Sequence, residues 1–300
     1  MHHSLRNLIQ NAVKTGGSVI LDGATGTELD RCGIVSAGPA WSAVAIMKNP
    51  EIVRKLHSDY VEAGAEVILA NTFRTTDHAI RSAGIGLSWQ QAADTAVRLA
   101  LEAADGRCLV AASIGPLNDC YRPDLAPDEK TAFQEHLKLI STVKDVGAHA
   151  VWIETMSTLR EAAAASRAAA ETGIDFVAGF VPDSSGRLLD GTSMSGAVGS
   201  ISGFGPEAVC VNCAPYWIID RAFRELSDST DLPAGLKVHM GRAEKGQDWQ
   251  GSAWMEPEEF ADKSLDWAKA GARLIGGCCG SGPEHIRALS RKYKNGVWHQ

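Results

Sequence analysis

Three of the seven cysteines fall in two segments rich in small residues: Cys213 after Val211-Asn212, and Cys278-Cys279 between Gly276-Gly277 and Gly280. Two acids stand where short apolar runs end, Asp22 after Val19-Ile20-Leu21 and Glu154 after Val151-Trp152-Ile153. Three thiolates suit a tetrahedral zinc ion that keeps one position open for water or substrate. The spacing is unlike a structural finger, which needs two close C-x-x-C pairs. Each residue also has an ordinary alternative. A single Cys213 is usually a small buried hydrophobe, Asp22-Gly23 reads as a turn, and Glu154 could cap a helix starting near Thr158. Neighbours on a regular strand point to opposite faces, so Cys278 and Cys279 meet one metal only where the glycines release the backbone. Pattern alone leaves these alternatives open.

The elements that must position these residues are short apolar runs: Ser18–Leu21, Glu66–Ala70, Leu109–Ile114, Ala150–Ile153, Phe176–Phe180, Ala208–Val211, a weaker Leu236–Met240, and Arg273–Gly277. Runs of this kind read as parallel strands buried on both faces. Between them lie stretches of helical period at Pro50–Ala63, Ser88–Ala104, Asp128–Val146, Leu159–Thr172, Asp220–Leu226 and Pro257–Ala270. Gly64, Gly147, Gly173 and Gly271 stand where those helices must stop. Alternating strands and helices predict a single-domain α/β fold over 1–300, a (β/α)8 barrel, with a doubly wound open sheet as the competing architecture. No G-x-G-x-x-G opens the first unit. The Gly23-Ala24-Thr25-Gly26 loop lacks the lysine of a phosphate-binding loop. In a barrel the strand ends converge on one face, which would gather Asp22, Asn71, Gly115, Glu154, Cys213 and Cys278-Cys279 in one mouth.

Composition narrows the setting. In 300 residues, 29 Lys+Arg against 36 Asp+Glu give a net charge of −7. An acidic balance argues against nucleic acid as a partner, because phosphate neutralisation needs a basic surface. No apolar run approaches the roughly 18 residues of a membrane span, and the segment Leu5–Gln10 is too short for a signal core. An odd cysteine count with no need of disulfide staples points to a cytoplasmic protein with reduced thiols. Cys32, Cys108, Cys120 and Cys210 have no partner pattern and read as ordinary thiols. His239 is placed near the mouth and His285 on the last helix.

The segments Leu21-Asp22-Gly23-Ala24-Thr25-Gly26-Thr27-Glu28-Leu29, Ala70-Asn71-Thr72-Phe73, Trp152-Ile153-Glu154-Thr155, Val211-Asn212-Cys213 and Gly276-Gly277-Cys278-Cys279-Gly280 with Pro283-Glu284-His285-Ile286 together resemble the homocysteine S-methyltransferase family. The resemblance runs from about residue 18 to residue 290. It implies a (β/α)8 barrel binding Zn2+ through Cys213, Cys278 and Cys279, with Asp22 and Glu154 holding the amino group of a homocysteine acceptor. Gly23, Ala24, Thr25 and Asn71 would complete the substrate site, the backbone N–H groups of the Gly23–Gly26 turn facing the acceptor's carboxylate. A free thiol titrates near about 8.5, so a zinc-held homocysteine is the more nucleophilic form at neutral pH.

The reaction so implied moves a methyl group from a small sulfonium or ammonium donor to homocysteine, giving methionine. S-methylmethionine or S-adenosylmethionine is the expected donor, with betaine as the alternative. A barrel that binds zinc and amino acid without turnover, as a sensor or subunit, is the competing class. A zinc hydrolase is poorer, because three thiolates activate water weakly and no histidine stands beside the cysteine motifs. The segment Val238-His239-Met240-Gly241-Arg242-Ala243-Glu244 departs from the Pro-Asn-x-Gly pattern of the family, which bears on the donor. The oligomeric state, a homo-oligomer included, is not readable from the chain.

Overall fold

A computed structural model describes residues 4–34, 38–84, 86–241 and 254–294. Eight parallel strands occur in it: β1 Val19–Ile20, β2 Val67–Ala70, β3 Leu109–Ile114, β4 Ala150–Met156, β5 Phe176–Phe180, β6 Ala208–Pro215, β7 Ala234–His239 and β8 Leu274–Gly277. Their order is β1-β8-β7-β6-β5-β4-β3-β2. The ring closes where Glu66 N–H donates to Ile20 O (2.8 Å) and Asp22 N–H to Val67 O (3.1 Å). The expected (β/α)8 barrel is the observed fold.

Two periodicities explain the packing. Alternate strand residues point into the barrel, where Leu21, Leu69, Ala111, Trp152, Val177 and Cys210 form one apolar layer. The intervening residues, among them Ile68, Val110, Ile153 and Val238, pack outward against the helices. Most helices end as expected: Gly64, Gly147 and Gly173 adopt left-handed φ of 106°, 110° and 68° at their C-caps. One helix is longer than its sequence pattern suggests. It runs Tyr216–Asp228 rather than Asp220–Leu226, because its buried stripe begins at Ile219 and continues through Ala222, Phe223 and Leu226, adding about one turn before Asp220 and two residues after Leu226. None of the described helices is long and apolar enough to cross a membrane.

The segment too short for a signal core has a structural use. Leu5–Thr15 is a helix whose Leu5, Ile9 and Ala12 join the barrel-interior cluster. Arg6 of this helix pairs with Glu207 at 2.7 Å, and Glu207 directly precedes β6. The helix therefore plugs the N-terminal end, leaving the C-terminal end as the open mouth.

His57, on the helix Pro50–Ala63, is fully buried, and among the described residues neither ring nitrogen has a hydrogen-bond partner. Burial pushes its pKa down to about 4, against about 6.5 for an unfolded histidine. The unfolded chain therefore binds the extra proton between those values, and this residue's contribution makes stability fall as pH drops through that window. Asp22, raised by burial to about 6, acts in the opposite sense, so the test is a difference. Urea unfolding from pH 7 to pH 4 should show His57→Leu losing about 3 kcal/mol less than the wild type, by linkage. Equal losses would contradict a neutral His57 in the folded state.

Candidate metal centre and the polar layer beneath it

The cysteine sulfurs come together because two strands are irregular at their ends. The β4–β5 register shifts between Ile153 and Met156, and the β6–β7 register between Asn212 and Pro215. Both bulges make β4 and β6 longer than the runs Ala150–Ile153 and Ala208–Val211 suggested. Each holds a non-glycine residue in the left-handed region, Thr155 at φ 61° and Cys213 at φ 60°. That conformation is unfavourable for a β-branched residue and persists where surrounding contacts enforce it. Asn212 supplies them. Thr155 N–H donates to Asn212 Oδ1 (3.0 Å), and Asn212 Nδ2 donates to Thr155 Oγ1 (2.8 Å). Simple alternation would turn Cys213 away from the interior, and the left-handed step brings its sulfur into the mouth.

The Cys213, Cys278 and Cys279 sulfurs all lie within 4.8 Å of one another. Cys213 and Cys279 are 3.7 Å apart. Thiolates about 2.3 Å from a tetrahedral metal have sulfur–sulfur edges of about 3.8 Å, so this spacing suits a shared ion. The glycines serve as expected. Gly280 turns the chain at φ 83°, and a Cβ on Gly277 would lie 2.1 Å from Ser281 Oγ. Cys278 N–H donates to Val238 O (2.7 Å), and Met240 N–H to Cys279 O (2.9 Å), fixing both cysteines to the end of β7. The Cys278 thiol is held well above the usual range, first by its hydrogen bond with Cys213 and then by burial. A metal cation would relieve this crowding by taking the protons' place.

Tyr121 stands beside the cluster, its hydroxyl 3.1 Å from Cys213 Sγ. Its loop follows β3 and is fixed from below. Leu117 N–H donates to Glu161 (2.7 Å), which also contacts His136 Nε2 at 3.3 Å. Arg74 donates to Pro116 O at 3.1 Å and is stacked on Trp41, 4.7 Å from its ring centre. The remaining cysteines do not join the cluster: Cys210 lies in the barrel interior, Cys120 is buried, Cys108 is half-buried and Cys32 is exposed.

The two acids meet in the interior, joined by the cation Lys237, which the strand-end pattern did not single out. Asp22 and Lys237 are almost fully buried, at 1 % and 4 % exposure, and Glu154 keeps 8 %. Lys237 Nζ lies 3.3 Å from Asp22 Oδ1 and 3.7 Å from Glu154 Oε2. Asp22 Oδ2 accepts the Leu69 N–H at 2.6 Å, and Glu154 Oε1 accepts Ser113 Oγ at 2.5 Å. Burial alone would lower the Lys237 pKa, but Glu154 and Asp22 outweigh it and hold the ammonium above the ordinary lysine value. Asp22 is therefore no turn residue and Glu154 no helix cap, since Thr158 caps the helix Leu159–Thr172 itself. The signal for Lys237 was a lone charge in the run Leu236-Lys237-Val238, which weakened that run as a strand.

The other expected contact residues hold loops together. Asn71 Nδ2 donates to Ser42 O (2.9 Å), and its Oδ1 accepts from Ser42 Oγ (2.7 Å). Ala24 N–H faces Ser281 Oγ at 3.1 Å, while Tyr60 donates its hydroxyl to Ala24 O at 2.6 Å. The Ala24 N–H is thus engaged within the protein. A side chain on Gly23 would collide with Ser281 and Tyr60, each at 2.7 Å. Thr25 is half-buried where the short helix Gly26–Arg31 begins. His239 lies at the end of β7, its Nδ1–H donating to Cys279 O (2.8 Å), with Trp254 packed edge-on against it. His285 sits on the helix Pro283–Lys294. Of the departing segment, Arg242, Ala243 and Glu244 lie outside the described residues.

Residues 19–293 match the family model described as homocysteine S-methyltransferase. A homocysteine S-methyltransferase of Escherichia coli (strain K12) is 30% identical over 297 residues, covering 91% of this chain and 94% of its own length. Homocysteine S-methyltransferase 1 of Brassica oleracea var. italica is 28% identical, with 97% of both chains covered. The metallated crystal form of the Escherichia coli homocysteine methyltransferase MmuM superposes with a TM-score of 0.82 at 27% identity, over 95% of this chain and 100% of that one. Its apo form gives a TM-score of 0.73 at 26% identity, over the same shares. Fold, thiol cluster and full-length similarity agree, and the chain belongs to the homocysteine S-methyltransferase family.

Proposed function

We propose that the protein transfers a methyl group from a small sulfonium donor, S-methylmethionine or S-adenosylmethionine, to the thiol of homocysteine, giving methionine, with zinc held by Cys213, Cys278 and Cys279. The observation that carries this reading is the convergence of three sulfurs in a barrel mouth above a buried acid–lysine cluster. Bound there, zinc supplies the Lewis acidity that keeps an acceptor sulfur in its thiolate form near neutral pH. The chain's own residues supply position. Asn212 holds the strained turn that aims Cys213, and Glu154 has one oxygen available to an ammonium group. The acceptor thiolate attacks the methyl carbon as the carbon–sulfur bond of the sulfonium breaks, and the electron pair leaves on a neutral thioether. Holding both partners in one mouth lowers the entropic part of the barrier. A sulfonium is favoured over betaine because a neutral thioether is a better leaving group than a tertiary amine.

The test is a donor panel. Zinc-loaded protein should form methionine from homocysteine with S-methylmethionine or S-adenosylmethionine, measured by mass spectrometry of a deuterated methyl group. Turnover with betaine alone would overturn the donor assignment. Tight homocysteine binding with no turnover on any donor would replace the enzyme by a binding barrel.

A further inference from the structure

The cluster beneath the sulfurs carries two carboxylates and one ammonium, so its charge is −1 rather than the −2 of the acid pair alone. The division of contacts inside it is uneven. Both Asp22 oxygens are engaged, one by the Leu69 N–H and the other by Lys237. Glu154 Oε1 is engaged by Ser113, while Oε2 stands 3.7 Å from Lys237 Nζ, beyond a hydrogen bond. Asp22 is thereby the anchor of the lysine, and Glu154 is the acid with an oxygen to offer. Lys237 donates to Asp22, and an ammonium carries three N–H bonds, so it has donors left for a ligand.

Its place in the fold puts those donors within reach of an acceptor. Lys237 pairs in register with Gly276 of β8, two residues before Cys278, and with Asn212 of β6, the residue before Cys213. The cation thus sits between the two strands that supply the sulfurs. An amino-acid thiol fixed by its sulfur at the cluster projects its head group a few bonds away. A zwitterion placed there meets a free carboxylate oxygen and a partly free ammonium side by side.

We propose that Lys237 is a specificity-determining residue that binds the carboxylate of the acceptor while Glu154 binds its ammonium, with Asp22 holding the lysine in place. The assignment rests on the reading of the acceptor as an amino-acid thiol. It divides a duty that the family resemblance gave to both acids.

Calorimetric titration of zinc-loaded protein tests it without any methyl donor. The probes are homocysteine, 4-mercaptobutanoate (carboxylate, no amine) and 3-mercaptopropylamine (amine, no carboxylate). Lys237→Met should weaken homocysteine and 4-mercaptobutanoate at least tenfold while 3-mercaptopropylamine binds as well or more tightly, and Lys237→Arg should recover part of the loss. Equal weakening of all three thiols would make Lys237 a purely structural ion and overturn the proposal. Tighter homocysteine binding by Lys237→Met would overturn it too, because the lysine would then occupy the ammonium's own place. Should Lys237→Met fail to fold, Lys237→Gln decides by the same binding order: selective weakening of homocysteine and 4-mercaptobutanoate supports the assignment, and equal weakening of all three thiols defeats it. Absence of methyl transfer in the donor panel would defeat the proposed function and leave this binding order standing.

Discussion

Alanine at Cys213, Cys278 or Cys279, one at a time, is expected to remove the metal and more than 99% of the methyl-transfer activity, the threshold being set roughly by the affinity argument that follows. A four-ligand zinc site is worth about 10–16 kcal/mol, so one ligand contributes roughly 3–4 kcal/mol, a factor on the order of 10²–10³ in affinity. Tyr121, whose hydroxyl stands 3.1 Å from Cys213 Sγ, offers a neutral phenol rather than a thiolate and is a poor replacement ligand. Metal content by mass spectrometry and activity should fall together. Cys32→Ser, on the exposed surface, and Cys210→Ala, in the barrel interior, should keep the metal. The interior variant should lose only thermal stability, through the small cavity it leaves. An alanine variant at any of the three positions that retains one equivalent of zinc and full activity would contradict the ligand set.

The parts of this site legible in the sequence were those carried by strand ends. Buried parallel strands show as short apolar runs, and the closed barrel fixes which end of each run faces the mouth, so Asp22, Glu154 and the cysteines could be gathered without coordinates. Asn212 carries no such signal, because its importance lies in a hydrogen-bonded tie to Thr155, 57 residues away in sequence. Such a tie leaves no local periodicity. Tyr121 reaches Cys213 from a loop fixed by Glu161 and Arg74, and side-chain support of that kind is likewise invisible in spacing. Lys237 was visible as a defect. A lysine in a strand buried on both faces weakens the strand pattern, and only the barrel shows that two acids face it across the interior. Asn71 and Ala24 went the other way. Their motif is real, but Asn71 closes its loop onto Ser42 and the Ala24 N–H ties the turn before the helix Gly26–Arg31 to Ser281, so they shape the mouth by holding its walls.

Oxidation should switch the protein off completely and reversibly. Hydrogen peroxide joins two thiols into one disulfide with release of two waters, and Cys213 and Cys279 are placed for it, their sulfurs already 3.7 Å apart against about 2.05 Å in the bond. That bond removes two of three metal ligands at once, so the ion must leave and the acceptor sulfur loses its partner. The other cysteines compete poorly. Cys108 and Cys120 lie outside the group of three sulfurs, so neither is held against a second thiol as Cys213 is against Cys279. Cys32 is exposed and is expected to react singly, without loss of metal. Peroxide treatment of the metal-free protein should therefore abolish activity and block zinc uptake. Dithiothreitol alone should restore free thiols but no turnover, and dithiothreitol with zinc should restore both. Prior zinc loading should slow the inactivation, since each thiolate is then held by the metal. Peptide mapping should find the bond among Cys213, Cys278 and Cys279. A disulfide in that set with activity intact, or inactivation with the bond mapped elsewhere and zinc still bound, would separate the thiol cluster from the chemistry of the mouth.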